Sequence, residues 1–241
     1  MPAAAQALTK GRAALQRIRA LNPVEVPRRH SSTHPDGTME SGETLRDKLI
    51  RALPDIPPGR RIAVVGPSGA GKTTLLMTWA GLFDTPRAGR TFFAEDAHLF
   101  GTTVLENLRV ARGDLTAQEA GHALCAVGLG DWLDAQPDGV ETDMVGGAAA
   151  VSGGQRRRLL LARALVAPAD TLLLDEPTEH MEAAAGADLL RALLDETGGL
   201  IAPERTVVVV THQLPPDHHA DTVLTVESGG VVSITHRAVA G

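Results

Sequence analysis

Gly66, Pro67, Ser68, Gly69, Ala70, Gly71, Lys72 and Thr73 follow the spacing G-x-x-x-x-G-K-[ST], that of a loop that holds a polyphosphate. Glycines let successive backbone N–H groups turn inward around phosphate oxygens, and a helix starting at the lysine adds the positive end of its dipole. Lys72 would reach the β- and γ-phosphates, Thr73 would offer its hydroxyl to Mg²⁺, and Thr74 belongs to the same binding set. Lysine is scarce in this chain, three residues against twenty arginines, so its presence at this position is informative.

Two carboxylates, Asp175 and Glu176, close the apolar run Thr171-Leu172-Leu173-Leu174. Asp175 is suited to hold the Mg²⁺ that bridges the nucleotide's phosphates, through water. Glu176, one residue on, is the better base for orienting the water that attacks the γ-phosphate, and Pro177 stiffens the turn. An acidic pair after a strand is weak evidence alone; the phosphate loop upstream makes it specific. A third element is Ser152-Gly153-Gly154-Gln155, followed by apolar residues at 159, 160, 161, 164 and 165. A serine cap, two glycines and the free N–H groups of a helix start make a second anion site with no lysine of its own.

The elements that must position these residues are legible around them. "RIAVVG" from Arg61 predicts a strand, and "KTTLLMTWAGLF" from Lys72 a helix in which Leu75, Trp79 and Phe83 fill the core. "TLLLDE" and "RTVVVVTH" read as two further strands with polar residues at their carboxyl ends, and "LTVESGGVVSIT" as a terminal hairpin. Continuous apolar strands between helices imply an α/β fold with a mostly parallel sheet buried on both faces, and ligands bind beyond the carboxyl ends of such strands. Residues 2–21 predict a basic helix ended by Asn22-Pro23, residues 23–41 a linker, and "GETLRDKLIRAL" a short helix stopped by Pro54.

An apolar content of 43% over 241 residues is ample for a core. The net charge is −6, yet the first thirty residues carry +5, leaving −11 for the rest. A basic helix of this kind either solvates its own face or meets an anionic membrane or partner, while the acidic remainder argues against nucleic acid. Cys125 alone permits no internal disulfide, which fits a reducing compartment. No apolar run is long enough to cross a bilayer. Arg156 to Arg158 read as a solvated helix face, and the histidines lack metal-ligand spacing.

The phosphate loop, "VSGGQ", "LLLDEPT" and "VVVVTH", in this order, resemble the ATPase domain of ABC transporters, over about residues 60–235. The resemblance implies a P-loop NTPase, RecA-like core with an inserted helical signature subdomain at about 101–166, within an ATPase domain spanning 42–241 that follows an N-terminal segment of 1–41. It implies ATP and Mg²⁺ as ligands and a second ATPase domain, identical or not, whose SGGQ covers the nucleotide. Ser152, Gly153, Gly154 and Gln155 would then act on a partner's ATP, and His212 would contact the γ-phosphate and attacking water. It also implies a membrane-spanning partner, an exporter's ATP hydrolysis, and a peripheral location on the cytoplasmic side of the membrane, or a soluble chain without that partner. "AEDAHLFGTTVLENLRVARGD" and "DEPTEHME" are similar to the CydC half of CydDC exporters, which move thiol reductants or haem-related cargo in support of cytochrome bd.

The chain departs from that pattern in several places. Glu95 stands where the family has a metal-contacting glutamine, and a carboxylate there can still ligate Mg²⁺ while adding charge near the phosphates. Only 23 positions separate Lys72 from Glu95, so a strand and its connection are expected to be missing. Glu182 replaces an aspartate. Residues 1–61 hold no Phe, Trp or Tyr for the adenine to stack on, and the antiparallel β-subdomain is expected to be reduced or missing, with weak nucleotide affinity. The alternative these departures favour is a degenerate subunit that binds nucleotide and hydrolyses little.

Overall fold

The computed structural model describes residues 56, 60–83, 87–198, 200–227 and 232–236. The expectations for the N-terminal helix, the linker, the short helix before Pro54 and the region of the antiparallel subdomain lie outside these residues.

Strand β1 (Arg61–Val65) is followed by α1 (Lys72–Trp79), β2 (Arg90–Phe93), a run of helices α2 (Val104–Arg109), α3 (Ala117–Ala126), α4 (Gly130–Asp134) and α5 (Gly153–Leu165), then β3 (Thr171–Asp175), α6 (Ala183–Leu194), β4 (Thr206–Val210), β5 (Thr222–Val226) and β6 (Val232–His236). The six strands form one sheet in the order β2-β3-β4-β1-β5-β6, parallel throughout except for the antiparallel β5–β6 pair. Parallel neighbours require crossovers, and α1, α2 to α5, and α6 supply them. Among the described residues between Lys72 and Glu95 there is one strand, β2.

Alternation along the strands sorts side chains to two faces. Ile62, Val64, Leu173, Val208 and Val210 pack with Leu75, Leu76 and Trp79 of α1. Ala63, Leu172, Leu174, Val207 and Val209 meet α2, α3, α5 and α6. Both faces are covered, which is why β4 can read Thr-Val-Val-Val-Val with every residue buried. Phe83 departs from the core expectation: it is 42% exposed in the turn beyond α1, whereas Leu75 and Trp79 are buried as expected.

Helix starts in the inserted bundle follow their caps. Thr103 accepts from the Glu106 N–H at the head of α2, and Thr116 with Glu119 forms a reciprocal capping box on α3. Arginine closes the carbonyl ends: Arg205 donates to Leu165, Ala167 and Ala169 oxygens just past α5, where the last turn's acceptors would otherwise be unpaired. Among the described residues no helix is long and apolar enough to cross a membrane.

Candidate functional site

The carboxyl ends of β1, β3 and β4 lie side by side, since β4 pairs with both β1 and β3 in register. Chain leaving β1 forms the glycine loop. Gly66 has φ 150, and a Cβ there would fall 2.1 Å from the Val226 carbonyl oxygen, so only glycine fits against the end of β5. Pro67, Ser68 and Gly69 are exposed at the loop's tip, and Ala70 is buried. Its N–H donates to the Pro67 oxygen across the tip, at 3.3 Å. Gly71 enters α1 in the left-handed region with no side-chain cap, leaving that helix start open to an anion. Lys72 is buried, and its Nζ donates to Gly66 O at 2.9 Å and Pro67 O at 3.0 Å. An ammonium has three donors, so one remains for a phosphate oxygen. Thr74, half-buried, uses its carbonyl to accept from the Thr78 hydroxyl.

Thr73 Oγ1 donates to Asp175 Oδ2 at 2.8 Å, joining the loop to the end of β3. The other oxygen, Oδ1, is buried without a hydrogen-bond partner. Burial raises the Asp175 pKa above the ordinary carboxylate value; the Thr73 hydrogen bond counters this, and the Glu95 charge adds to it. A buried carboxylate oxygen lacking a donor, beside a threonine hydroxyl whose oxygen keeps its lone pairs, is a hard-oxygen donor set of the kind Mg²⁺ takes.

Glu176 turns the chain with φ 47, a left-handed conformation that is costly for a non-glycine residue and doubly so before proline. Its N–H is held by the Val210 carbonyl at 3.1 Å. The turn aims its carboxylate at the second residue beyond β4: Oε1 lies 3.0 Å from His212 Nε2, and Oε2 accepts from the His212 N–H at 3.3 Å. Burial is the main cause that pushes Glu176 up to about 7, against the opposing pull of Lys72 and the His212 N–H. Such a carboxyl is poised to exchange a proton near neutrality. The groove beside it, about 540 Å³, runs past His180, Glu182, His212 and Gln213.

Ser152 caps α5, accepting from the Gln155 N–H at 3.2 Å while Gln155 Oε1 accepts from the Ser152 N–H at 2.9 Å. Ser152 and Gly153 are exposed, and Gly154 is half-buried. Their neighbour is the turn after β3: a Cβ at Gly153 would meet His180 at 3.8 Å. Within one chain the structure brings together Lys72, Thr73, Asp175, Glu176 and His212; no hydrogen bond among the described residues joins 152–155 to the glycine loop, and the serine-capped helix start packs against His180 instead. Glu95, half-buried just beyond β2, lies close enough to Asp175 for its charge to act there.

Of the three arginines expected on a solvated face, Arg156 and Arg158 are half-buried and Arg157 departs from the expectation. Arg157 is 4% exposed, and Arg156 Nη2 donates to Ala97 O at 3.0 Å. Further along α5, Arg163 donates to Asn107 O, Asn107 Oδ1 and His98 O at 2.7, 2.9 and 2.7 Å. Buried Asn107 in turn bonds both main-chain atoms of Phe100. Periodicity held the signal: Arg157 falls in step with Leu160, Leu161 and Ala164 on the helix's buried stripe.

The ABC transporter family profile matches residues 51–179, and the chain belongs to that family. Its mostly parallel sheet and flanking helices are the P-loop NTPase fold of ABC exporter ATP-binding domains. Mycobactin import ATP-binding/permease protein IrtB of Mycolicibacterium thermoresistibile is 33% identical over 195 residues, covering 73% of this chain and 33% of its own length. Beta-(1→2)glucan export ATP-binding/permease protein NdvA of Brucella melitensis is 33% identical over 199 residues, 74% of this chain and 32% of its own. The ATP-dependent lipid A-core flippase of Chromobacterium violaceum is 31% identical over 195 residues, with shares of 73% and 32%. A solved bacterial Atm1-family ABC exporter with ATP bound superposes with a TM-score of 0.63 at 25% identity, over 75% of this chain and 34% of that one. The chain thus spans about a third of the length of these relatives.

Proposed function

We propose that this chain is the ATP-binding and hydrolysing part of an ABC exporter, working as a dimer of ATPase domains on the cytoplasmic side of a membrane-spanning partner. The observation that carries the reading is the Thr73 to Asp175 hydrogen bond of 2.8 Å with the second Asp175 oxygen left unpaired. It joins the phosphate loop to a cation-binding carboxylate. Thr73, Asp175 and Glu95 would hold Mg²⁺, which when bound offsets the charge on the phosphates. Lys72 turns its remaining donor to a phosphate oxygen, and the open start of α1 adds a fixed dipole. Glu176 takes the proton of the attacking water as its oxygen bonds to the γ-phosphorus and the bond to the β–γ bridging oxygen breaks, releasing phosphate and ADP, and His212 releases its contact with Glu176 to meet the γ-phosphate. Ser152, Gly153, Gly154 and Gln155 of a second ATPase domain close the nucleotide from the other side; the exposure of Ser152 and Gly153 supports this.

The relatives' names span import and export of chemically unlike cargoes. A finer reading rests on the stretches from Ala94 to Asp114 and from Asp175 to Glu182, which resemble the CydC half of CydDC exporters and point to a thiol- or haem-related cargo. An adjacent reading frame encoding six apolar spans or a cytochrome bd subunit is the expected neighbour.

A second reading, a subunit that binds nucleotide and hydrolyses little, is favoured by Glu95 and by the closed Glu176–His212 pair. Phosphate release by the purified chain, alone and with a candidate partner, separates the two: steady Mg²⁺-dependent release supports the first, and tight binding without release in either condition supports the second.

A further inference from the structure

Arg157 lies on α5, two residues beyond Gln155, with 4% of its surface exposed. Its three nitrogens go to two different segments. Nη1 donates to the Glu95 carbonyl oxygen at 2.7 Å, and Nε donates to the Glu179 carbonyl oxygen at 3.3 Å. Nη2 stands 3.5 Å from Glu95 Oε1. One buried guanidinium therefore grips the main chain that follows β2 and the turn that follows β3, and pairs with the side chain of Glu95.

The charge around it explains why such a cation is tolerated. Glu95, Glu179 and Glu176 all act on Arg157, with Arg156 opposing them. Glu95 acts in turn on Asp175. Three carboxylates, Glu95, Asp175 and Glu176, thus share the region that must admit a triphosphate, and the Lys72 cation alone does not match them. Like charges that act on one another in a half-buried setting repel more strongly than in water when they are left unpaired. A guanidinium fork is the side chain suited to this work, because it holds a carbonyl and a carboxylate in one plane and keeps its proton when buried.

We propose that Arg157 is a positioning residue for Glu95: it fixes the loop that carries this carboxylate and offsets its charge, so that Glu95 serves a bound cation without repelling the nucleotide. The proposal rests on the ATP-binding reading. It makes Glu95 and Arg157 a coupled pair, in which the carboxylate is tolerated because the arginine is there.

The test is a double-mutant cycle on the full chain, with affinity for a non-hydrolysable ATP analogue in Mg²⁺ measured by calorimetry and thermal unfolding followed in parallel. Binding by the parent chain tests the ATP reading itself, and no detectable binding there defeats that reading whatever the cycle gives. With binding in hand, Arg157→Gln weakens affinity about tenfold when Glu95 is present and less than about twofold in the Glu95→Gln background. Its loss of the two carbonyl bonds lowers the unfolding temperature in both backgrounds, with only a small difference from the half-exposed ion pair, so a coupling in affinity that exceeds the coupling in unfolding separates the positioning role from a purely structural one. Arg157→Met, which keeps the buried stem, carries the same cycle if the glutamine variant does not fold. An equal loss of affinity in the parent and Glu95→Gln backgrounds overturns the proposal.

Discussion

Glu176 and His212, 36 positions apart, meet twice: side chain to side chain at 3.0 Å, and side chain to backbone N–H at 3.3 Å. The carboxylate proposed as base is held by the histidine proposed to read the γ-phosphate. Glu176→Gln removes the proton acceptor but keeps the shape, and the amide oxygen can still accept from the His212 N–H. Turnover should fall by at least about a hundredfold while nucleotide affinity stays within about threefold of the parent. Steady phosphate release by this variant would remove Glu176 from the role of base.

The elevated Glu176 pKa, about 7 against an ordinary 4.5, also makes a stability statement. Between those two values the folded chain binds this proton and the unfolded chain does not, so stability falls as pH rises through the window and the whole penalty is present above it. Glu176→Gln should therefore melt with the parent near pH 4.5 and several degrees above it at pH 8, at about 2–4 °C per kcal/mol for a chain of this size. Equal melting temperatures at pH 8 would contradict the buried-carboxylate account. Turnover should rise with pH through about 7 as the base loses its proton.

Asp175 carries a similar conflict between stability and function. Its carboxylate is buried, its Oδ1 is unpaired, and burial raises its pKa. Asp175→Asn relieves the charge and should stabilise the ligand-free chain at neutral pH by about 1 kcal/mol, visible in urea unfolding. The same substitution should erase the gain in analogue affinity that Mg²⁺ brings, a loss of at least about tenfold. A destabilised variant that keeps its Mg²⁺ dependence would reverse both expectations.

Two glycines of the loop separate conformational from steric requirement. Gly69 has φ 77 with nothing within 4 Å of a Cβ, whereas Gly66 would drive a Cβ to 2.1 Å from the Val226 oxygen. Gly69→Ala should cost about 1 kcal/mol of stability, the ordinary left-handed penalty. Gly66→Ala should cost more than about 3 kcal/mol, since backbone must move. Denaturant midpoints of the two variants check the ranking, and equal midpoints would deny the contact with β5.

Much of this fold is legible in the residues alone. Strands β1, β3 and β4 announce themselves because a strand covered on both faces must be an unbroken Val, Ile or Leu run, and the polar residues that end them mark the site. The antiparallel β5–β6 pair is visible as a hairpin. Less visible is β2, whose four half-buried residues Arg90 to Phe93 offer no long run or alternation. Helical spacing assigns Phe83 to the core, but α1 stops at Trp79 and the stripe no longer faces the sheet. Charge alone puts the arginines of α5 in solvent, whereas the burial of Arg157 and Arg163 follows from the carbonyls of Glu95, His98, Asn107 and Glu179, which come within reach only after folding. The spatial union of Glu176 with His212 likewise depends on β3 and β4 being neighbours.

Where the nucleotide is held is the most direct test of the proposed function. A structure determined with a non-hydrolysable ATP analogue and Mg²⁺, with the partner ATPase domain present if the chain does not pair with itself, should find the γ-phosphate between Lys72 of one polypeptide and the serine-capped helix start of another. An analogue enclosed by residues of a single polypeptide, with Ser152 facing solvent, would contradict it.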